Sequence, residues 1–596
     1  MSRPSSKQCF VVLNMDSSNK HKLTRLSILF FAGAITLLVY CLLSTNVVFS
    51  QENALGLAEK LPLYYWGGLL FILVSLFLLV GSNTRSFYHE RLFLLEAFLL
   101  ALYLYAIPVF VEENIHYYDT WVHSGSSLSI LIHQSYVKSP DYYAGQFPGA
   151  FIFQSVGILI TGMDPLAIMK YYPILFSALT VLTSYILFRK LFAERRMAYL
   201  ATIFLVTGSV WVFPEHFCPN SFALILYFIL FYFIFSKPTH ENAALTIFLI
   251  IAIVSSHPIT PILLIFSLVL MFAGVAIVKR FSVLKNYASK AHPSVSVMFT
   301  LFLFVVVFSS AWFLFNANEV LITQTNTVAR FFTNLGNYLT FGRFTERFAT
   351  ISSPLLIGQT LKLYYSLLFI SLSAIGGTYL IFNRSKIHKR EHAYFFPHMA
   401  SWIVACIVFG VITGFLQAGE FYERMLLYGF VPMSYLAVFA WEKKVGKIIL
   451  MIGILIGAPL SVFAAYSNES FEYSPMTDFR GAEFMVNHNI TNTSSVKVGL
   501  PTSTCYRFSI LYEAFRNKQN SIGQLSSKNT FLVWSRVSYA YYSIYLRGAN
   551  FSTISKWSIY EAWLDERSKI VSLPGIDLVY SSSDFILWMN VNETLH

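Results

Sequence analysis

Apolar runs of 14 to 22 residues recur along the first 466 positions, separated by short polar or basic stretches. Crossing roughly 30 Å of hydrocarbon takes about 20 mostly apolar residues in a helix, which satisfies its own backbone groups. The pattern predicts spans at 26–45, 63–80, 92–110, 167–188, 198–213, 219–236, 243–256, 259–278, 296–315, 361–382, 399–417, 424–441 and 447–466. A further apolar stretch, Phe147 to Ile160, begins with Phe147-Pro-Gly149, and its periodicity alone does not say whether it crosses.

Charge placement decides that point. The basic loops are Arg189/Lys190/Arg195/Arg196, Lys279/Arg280/Lys285/Lys290, Arg384/Lys386/Lys389/Arg390 and Lys443/Lys444/Lys447. With the N-terminus (Lys20, Lys22, Arg25) inside and 147–160 not crossing, all four fall on the cytoplasmic side, as the positive-inside rule requires. The segment then lies in or on the outer leaflet, within a long outer loop 111–166. The expectation is a multi-pass α-helical membrane protein with about 13 spans in the cell membrane, N-terminus inside and C-terminus outside. Val48-Phe49-Ser50 weakly resembles a cleavage site, but the long polar lead-in favours an uncleaved first span.

Beyond residue 466 the period changes. Val496–Leu500, Phe531–Trp534, Ile576–Val579 and Phe585–Met589 read as short strands, with helical stretches near 480–488 and 559–567. These predict a small extracytoplasmic α/β domain over 467–596. Sequons at Asn468, Asn489, Asn492, Asn550 and Asn592 fit an outer location. The predicted organisation is 1–90, a cytoplasmic segment and two spans; 91–466, the main membrane region with outer loops 111–166 and 316–360; and 467–596.

Composition agrees with this division. Of 596 residues 56% are hydrophobic and only 12% charged, against about 25% charged in soluble domains. That excludes an ordinary soluble protein, a disordered chain and a coiled coil. The formal charge of +12 lies entirely in 1–466, because acids and bases balance beyond it. Cations placed between spans are a topology signal, so nucleic acid is rejected as a partner. The five cysteines form no CxxC pair and imply neither a disulfide framework nor a cysteine metal site.

The spans contain one carboxylate, Glu96, about a turn from a cytoplasmic end. Ion-coupled transporters place acids or bases near the midplane, which counts against that class. The densest polar cluster instead opens the first outer loop: Glu112, Glu113, His116, Asp119 and His123. Three carboxylates there suit a general base or a metal ligand. The competing reading of Glu112 and Glu113 is solvated loop acids, and of the histidines, ordinary interfacial side chains. A divalent cation is left open, with His116, His123 and Asp119 as candidate ligands. Ser124 to Tyr136 reads as an interfacial amphipathic helix.

The order of features resembles the GT-C superfamily of polyprenyl-phosphate-sugar-dependent glycosyltransferases, which includes protein mannosyltransferases and aminoarabinose transferases, in a form like its archaeal members. The matching residues are Asp119-Thr-Trp-Val-His123, Phe147-Pro-Gly149, Tyr185-Ile-Leu-Phe-Arg-Lys-Leu-Phe192 and Pro214-Glu-His-Phe-Cys-Pro-Asn220, with Met476–Val498 and Asp577-Leu-Val-Tyr580 in the tail. The chain departs from the pattern in two additional spans before the acidic loop and in lacking a Trp-Trp-Asp motif.

The resemblance implies inverting transfer of a sugar from a polyprenyl-phosphate donor to a protein or lipid acceptor. Asp119 would deprotonate the acceptor hydroxyl. Arg424, at an outer span end, would lie near the donor phosphate, and Arg330, Arg343 and Arg347 in loop 316–360 are further candidates for it. His123 and His257 are candidate lining residues of the same cavity, with turn capping as the alternative for His257. Two other classes compete: a lipid-linked-glycan flippase or polymerase-like protein, and a non-enzymatic receptor or assembly subunit.

Overall fold

The computed structural model describes residues 17–44, 55–82, 86–113, 115–136, 143–213, 215–237, 239–280, 295–333, 353–382, 395–416, 421–467 and 480, and the strands 496–498, 531–535, 576–581 and 585–590. The helices are α1 Ser17–Ser44, α2 Leu57–Lys60, α3 Leu63–Ser82, α4 Phe87–Tyr105, α5 Ile107–Val111, α6 Tyr118–His133, α7 Tyr143–Gln146, α8 Gly149–Thr161, α9 Pro165–Leu191 and α10 Arg195–Gly208. They continue as α11 Pro219–Ile234, α12 His240–Ser256, α13 Ile259–Arg280, α14 Val295–Phe315, α15 Asn318–Thr333, α16 Ser353–Phe382, α17 Phe396–Leu416, α18 Phe421–Ala437 and α19 Lys444–Tyr466.

Each of the thirteen predicted spans coincides with one of these helices. Seven are long and apolar enough to cross a membrane by length and composition, namely α1, α3, α9, α13, α14, α16 and α19. Among the shorter ones, α11, α12, α17 and the end of α18 are apolar over 10 to 17 residues. Many helices are apolar on their outward faces too: Leu43, Phe315 and Phe382 are each more than three-quarters exposed. A helix apolar all round belongs in lipid. The protein is a multi-pass membrane protein.

Backbone approach is close where glycine allows it. A Cβ on Gly376 of α16 would strike the Leu436 carbonyl and the Ala437 backbone of α18, the small-residue contact that lets membrane helices pack.

Hydrogen bonds separate the bundle's two ends. At one, Tyr105 at the end of α4 bonds Val206 O and Ser209 Oγ, both at 2.8 Å. Tyr466 at the end of α19 donates to Leu104 O at 2.8 Å. At the other, Glu90 in the first turn of α4 accepts from Tyr185 and pairs with Arg195 at 3.2 Å, and Phe192 stacks on Tyr435 at 5.1 Å. The basic loops around 189–196 and 443–447 thus share an end, opposite the 105–123 segment. Glu96 lies deeper than the sequence implied. Helix α4 starts at Phe87, and Glu96 is about 13 Å along it, buried and accepting from Ser27 Oγ at 2.6 Å.

Helix α8 has 13 residues, about 20 Å of rise, less than the roughly 30 Å of a hydrocarbon core. It packs on α6 through polar groups: Ser127 donates to Gln154 Oε1 at 2.6 Å and Ser155 to Ser127 O at 2.9 Å. Its Leu159 and Ile160 face outward. The interfacial helix predicted over 124–136 is α6, but it buries serines against α8 and leaves Ile132 exposed. Gly149 seats the start of α8 on the end of α12, since a Cβ there would collide with the Ser255 and Ser256 hydroxyls.

In the C-terminal region the four predicted strands form one sheet in the order β1-β2-β4-β3, with β1 Val496–Val498, β2 Phe531–Ser535, β3 Ile576–Ser581 and β4 Phe585–Asn590. β1 and β2 are parallel and the other pairs antiparallel, with Phe531 opposite Met589 and Ile576 opposite Asn590. The helical stretches expected at 480–488, apart from Arg480, and at 559–567 lie outside the described residues.

Candidate active site

Two loops meet at the end of the bundle away from the basic residues. The first follows α4. Pro108 near the start of α5 starts a single short helix that stops at Glu112, whose backbone N–H donates to Pro108 O at 3.0 Å. Glu112 and Tyr117, the N-cap of α6, both have extended backbone. The second loop joins α10 to α11. It closes in a capping box in which the Ser221 N–H donates to Cys218 Sγ at 3.4 Å, with Pro219 in the first turn. Proline is preorganised for that position and loses no bond there.

Five side chains bring the loops together. Glu112 is buried and its Oε2 accepts from His116 Nδ1 at 2.6 Å. Tyr117 donates to Glu215 Oε1 at 2.5 Å. His116 sets its edge on the Tyr117 ring at 4.4 Å, and His216 stacks on that ring at 4.4 Å. Because a carboxylate only accepts, the Glu112 bond puts the neutral His116 proton on Nδ1 and leaves Nε2 as the basic nitrogen. Burial pulls His216 down to about 3, and the neighbouring His123 and His116 push the same way. His216 is therefore neutral at any physiological pH.

His116, Tyr117, Glu215 and His216 border a small cleft, lined also by Thr120, Met169, Lys170 and Pro173. Lys170 donates to the Glu113 carbonyl oxygen at 3.0 Å. Thr120 is fully buried, and its Oγ1 has no hydrogen-bond partner; neither have His216 Nδ1 and Glu112 Oε1. Buried polar atoms are nearly always satisfied, so these three orphans set this end of the bundle apart.

The predicted residues divide as follows. Glu112 and His116 join the cluster, and Glu112 is not the solvated acid that one reading expected, since the turn at Pro108 folds it under the loop. Glu113 is exposed, as a solvated acid would be. Asp119 is the second residue of α6, two positions past Tyr117; its side chain lies outside the described residues, as do those of Arg330 and Arg424. Arg330 belongs to α15 and Arg424 to the first turn of α18, while Arg343 and Arg347 lie wholly outside the described residues. His123 is half-buried, 5.7 Å from the Phe151 ring.

His257 does not line the cleft. The Thr260 N–H donates to its Nδ1 at 3.3 Å, and Thr260 Oγ1 lies 2.8 Å from Nδ1 and 2.6 Å from the Tyr428 hydroxyl. Tyr428 in turn donates to Asn220 Oδ1 at 3.1 Å. That is turn capping extended into a tie between α11, α13 and α18.

Sequence reasoning passed over Glu215, His216, Thr120 and Lys170. The first two stand in the Pro214–Asn220 segment, where an acid and a histidine just before an apolar run were a readable signal. Lys170 sits inside the predicted span 167–188, a cation at the end where the positive-inside rule disfavours it.

Among the described residues no three His, Cys, Asp or Glu side chains are grouped so as to hold a metal ion. Glu112 and His116 engage each other and Glu215 engages Tyr117, so a divalent cation is assigned no step.

Neither a protein-family model nor a curated protein matches the sequence. Among solved structures, the archaeal oligosaccharyltransferase AglB from Archaeoglobus fulgidus, in complex with an inhibitory peptide and a dolichol-phosphate, is similar at 13% identity and TM-score 0.42, over 86% of this chain and 75% of that one. ArnT from Cupriavidus metallidurans bound to undecaprenyl phosphate is similar at 10% identity and TM-score 0.37, over 85% and 99%. ArnT in the apo state gives 11% identity and TM-score 0.31, over 83% and 97%.

Proposed function

We propose that the protein is a membrane glycosyltransferase of the GT-C type. It moves a sugar from a polyprenyl-phosphate donor to a protein or lipid acceptor on the non-cytoplasmic face, with inversion at the anomeric carbon. The observation that carries this reading is the cleft at the end of the bundle opposite the basic loops. It is bordered by a buried carboxylate, two histidines, a lysine and an orphaned hydroxyl, beside a helix shorter than a hydrocarbon core. Such a site meets a substrate whose head is polar and whose tail stays in lipid.

In this mechanism Asp119 takes the proton of the acceptor hydroxyl as its oxygen bonds to the anomeric carbon. The bond from that carbon to the phosphate oxygen breaks on the opposite face, and the polyprenyl phosphate leaves with the electron pair. Tyr117 and His116 hold the α6 entrance in register with the Glu215 loop. Arg424 is the candidate for the departing phosphate, and residues 91–466 form the catalytic region. The region 467–596 is an outer α/β domain.

Purified protein incubated with radiolabelled polyprenyl-phosphate sugars tests the reading. Transfer should fall at least roughly 100-fold in Asp119→Asn, the lower end for loss of a general base, while binding of the lipid phosphate persists. Transfer at the wild-type rate by Asp119→Asn would remove the residue assignment. Absence of transfer from every polyprenyl-phosphate sugar would remove the activity.

A further inference from the structure

Glu96 is the one carboxylate within the predicted spans, and it is fully buried. An ionisable group at that depth is kept for a function, with a partner that can be named. Among the described residues it forms no ion pair. Of the helices packed against α4, α3 and α5 have no charged residue, and the lysines and arginines of α9, α10 and α19 stand near helix ends. Arg25 of α1 is exposed, and on α4 itself Glu90 pairs with Arg195 at 3.2 Å.

The partners of Glu96 are two hydroxyls. Ser27 Oγ of α1 lies 2.6 Å from Glu96 Oε1 and 3.1 Å from Ser75 Oγ of α3, and both serines are fully buried. Ser75 Oγ also lies 2.7 Å from the Ser27 carbonyl oxygen and donates to it, because a carbonyl only accepts. Each hydroxyl has one hydrogen. That of Ser75 is spent on the carbonyl, so the hydrogen between the two hydroxyls comes from Ser27. Ser27 then has none left for Glu96, and their contact takes its hydrogen from the carboxyl.

An ionised Glu96 would impose the opposite direction. Ser27 would donate to Oε1, and the two hydroxyls would face each other at 3.1 Å with no hydrogen between them. Oε2, which has no partner, would be a bare charged oxygen in the bundle interior. On a neutral acid Oε2 is an uncharged carbonyl oxygen, and every donor of the cluster has an acceptor.

The cluster has a companion. Glu96 and Tyr103 share a face of α4 two turns apart, as Ser27 and Ala34 do on α1. Tyr103 donates to the Ala34 carbonyl oxygen at 2.7 Å, and Tyr65 of α3 to that of Tyr103 at 2.6 Å. Polar contacts thus join α1, α3 and α4 at two levels.

We propose that Glu96 is a proton-binding site inside the membrane region: its neutral carboxyl donates to Ser27 Oγ, Ser27 to Ser75 Oγ, and Ser75 to the Ser27 carbonyl oxygen. The bound proton fastens the two additional spans, α1 and α3, to the helix that leads into the Glu112 loop. The site stands apart from the proposed transfer reaction, and its test reads no turnover.

The test is infrared difference spectroscopy on full-length protein in nanodiscs at neutral pH. A neutral carboxyl has a carbonyl stretch that a carboxylate lacks and that moves down in heavy water. Wild type should show such a band, and Glu96→Gln should lose it. Ser27→Ala should shift it upward, because the acid loses its acceptor. A neutral-carboxyl band unchanged in Glu96→Gln, or a carboxylate band lost in its place, overturns the proton site. A wild-type spectrum with no neutral-carboxyl band does so without any variant, and a Ser27→Ala band at the wild-type position overturns the donor chain. Loss of the band when sodium chloride replaces choline chloride would assign the oxygens to a cation and overturn the proton site too. Melting tests the fastening. Glu96→Gln puts an amide N–H where the acid holds its hydrogen and should melt with wild type, whereas Glu96→Ala leaves a void and should melt lower. Glu96→Gln melting as low as Glu96→Ala overturns that role.

Discussion

Glu112 and Glu113 are neighbours of identical chemistry, and the fold separates them completely. The Glu112 carboxylate is 1% exposed and bonds His116, itself 6% exposed, at 2.6 Å. Changing it to Gln keeps shape and one acceptor but removes the charge, and a buried charge-assisted hydrogen bond contributes about 1.5–3 kcal/mol. Glu112→Ala adds an orphaned His116 Nδ1 and a void, so about 3 kcal/mol or more is expected. Glu113 points to solvent, and its one described bond uses the backbone oxygen that accepts from Lys170. Glu113→Gln should therefore cost less than about 0.5 kcal/mol.

The measurement is thermal unfolding of purified protein in detergent, read by tryptophan fluorescence, with sugar transfer at a fixed temperature beside it. The order of melting temperatures should be wild type close to Glu113→Gln, then Glu112→Gln, then Glu112→Ala. The transfer rate should drop roughly 10-fold or more in Glu112→Gln, because His116 orients the Tyr117 ring that binds Glu215. A double-mutant cycle of Glu112→Gln with His116→Gln should give a coupling of at least about 1 kcal/mol. If Glu112→Gln and Glu113→Gln are indistinguishable in both readouts, the Glu112–His116 pair does not hold the entrance together.

His216 makes stability depend on pH with a definite sign. Its folded pKa lies below the ordinary histidine value, at about 3, so between pH 6.5 and about 3 the unfolded chain binds a proton that the folded one refuses. Stability is fully present above pH 6.5 and declines below it; the loss by pH 5 should be on the order of 1 kcal/mol. The melting temperature of His216→Asn should fall less steeply than that of wild type between pH 7.5 and 5, and equal slopes would refute the assignment. Topology is tested with single cysteines: Ser139→Cys and Ser526→Cys should react with an impermeant thiol reagent from outside and Ser385→Cys should not, and outside labelling at Ser385 would invert the orientation.

What the sequence made legible, and what it hid, follow from the range of the forces involved. Helix placement was readable because lipid imposes one local requirement, an unbroken apolar run that satisfies its own backbone, and every run from 26–45 to 447–466 is met by a helix. The helix over 149–161 was readable from its apolar run in the same way. The strands at 496, 531, 576 and 585 were readable from alternation and turns, also local signals. The site was only half legible. The acidic loop after α4 stood out because charge is rare in this chain, yet sequence could not tell Glu112 from Glu113. The difference is made by Pro108 and a single short helix that ends at Glu112. Glu215 was invisible as a partner of Tyr117 because 98 positions separate them, and no periodicity spans such a gap. Lys170 was hidden for the opposite reason: it sits in an apolar run strong enough to absorb one cation without disturbing the pattern. In a chain this apolar, a single cation inside an apolar run is harder to read than an acid in a polar loop, which is why Lys170 stayed hidden while Glu113 stood out.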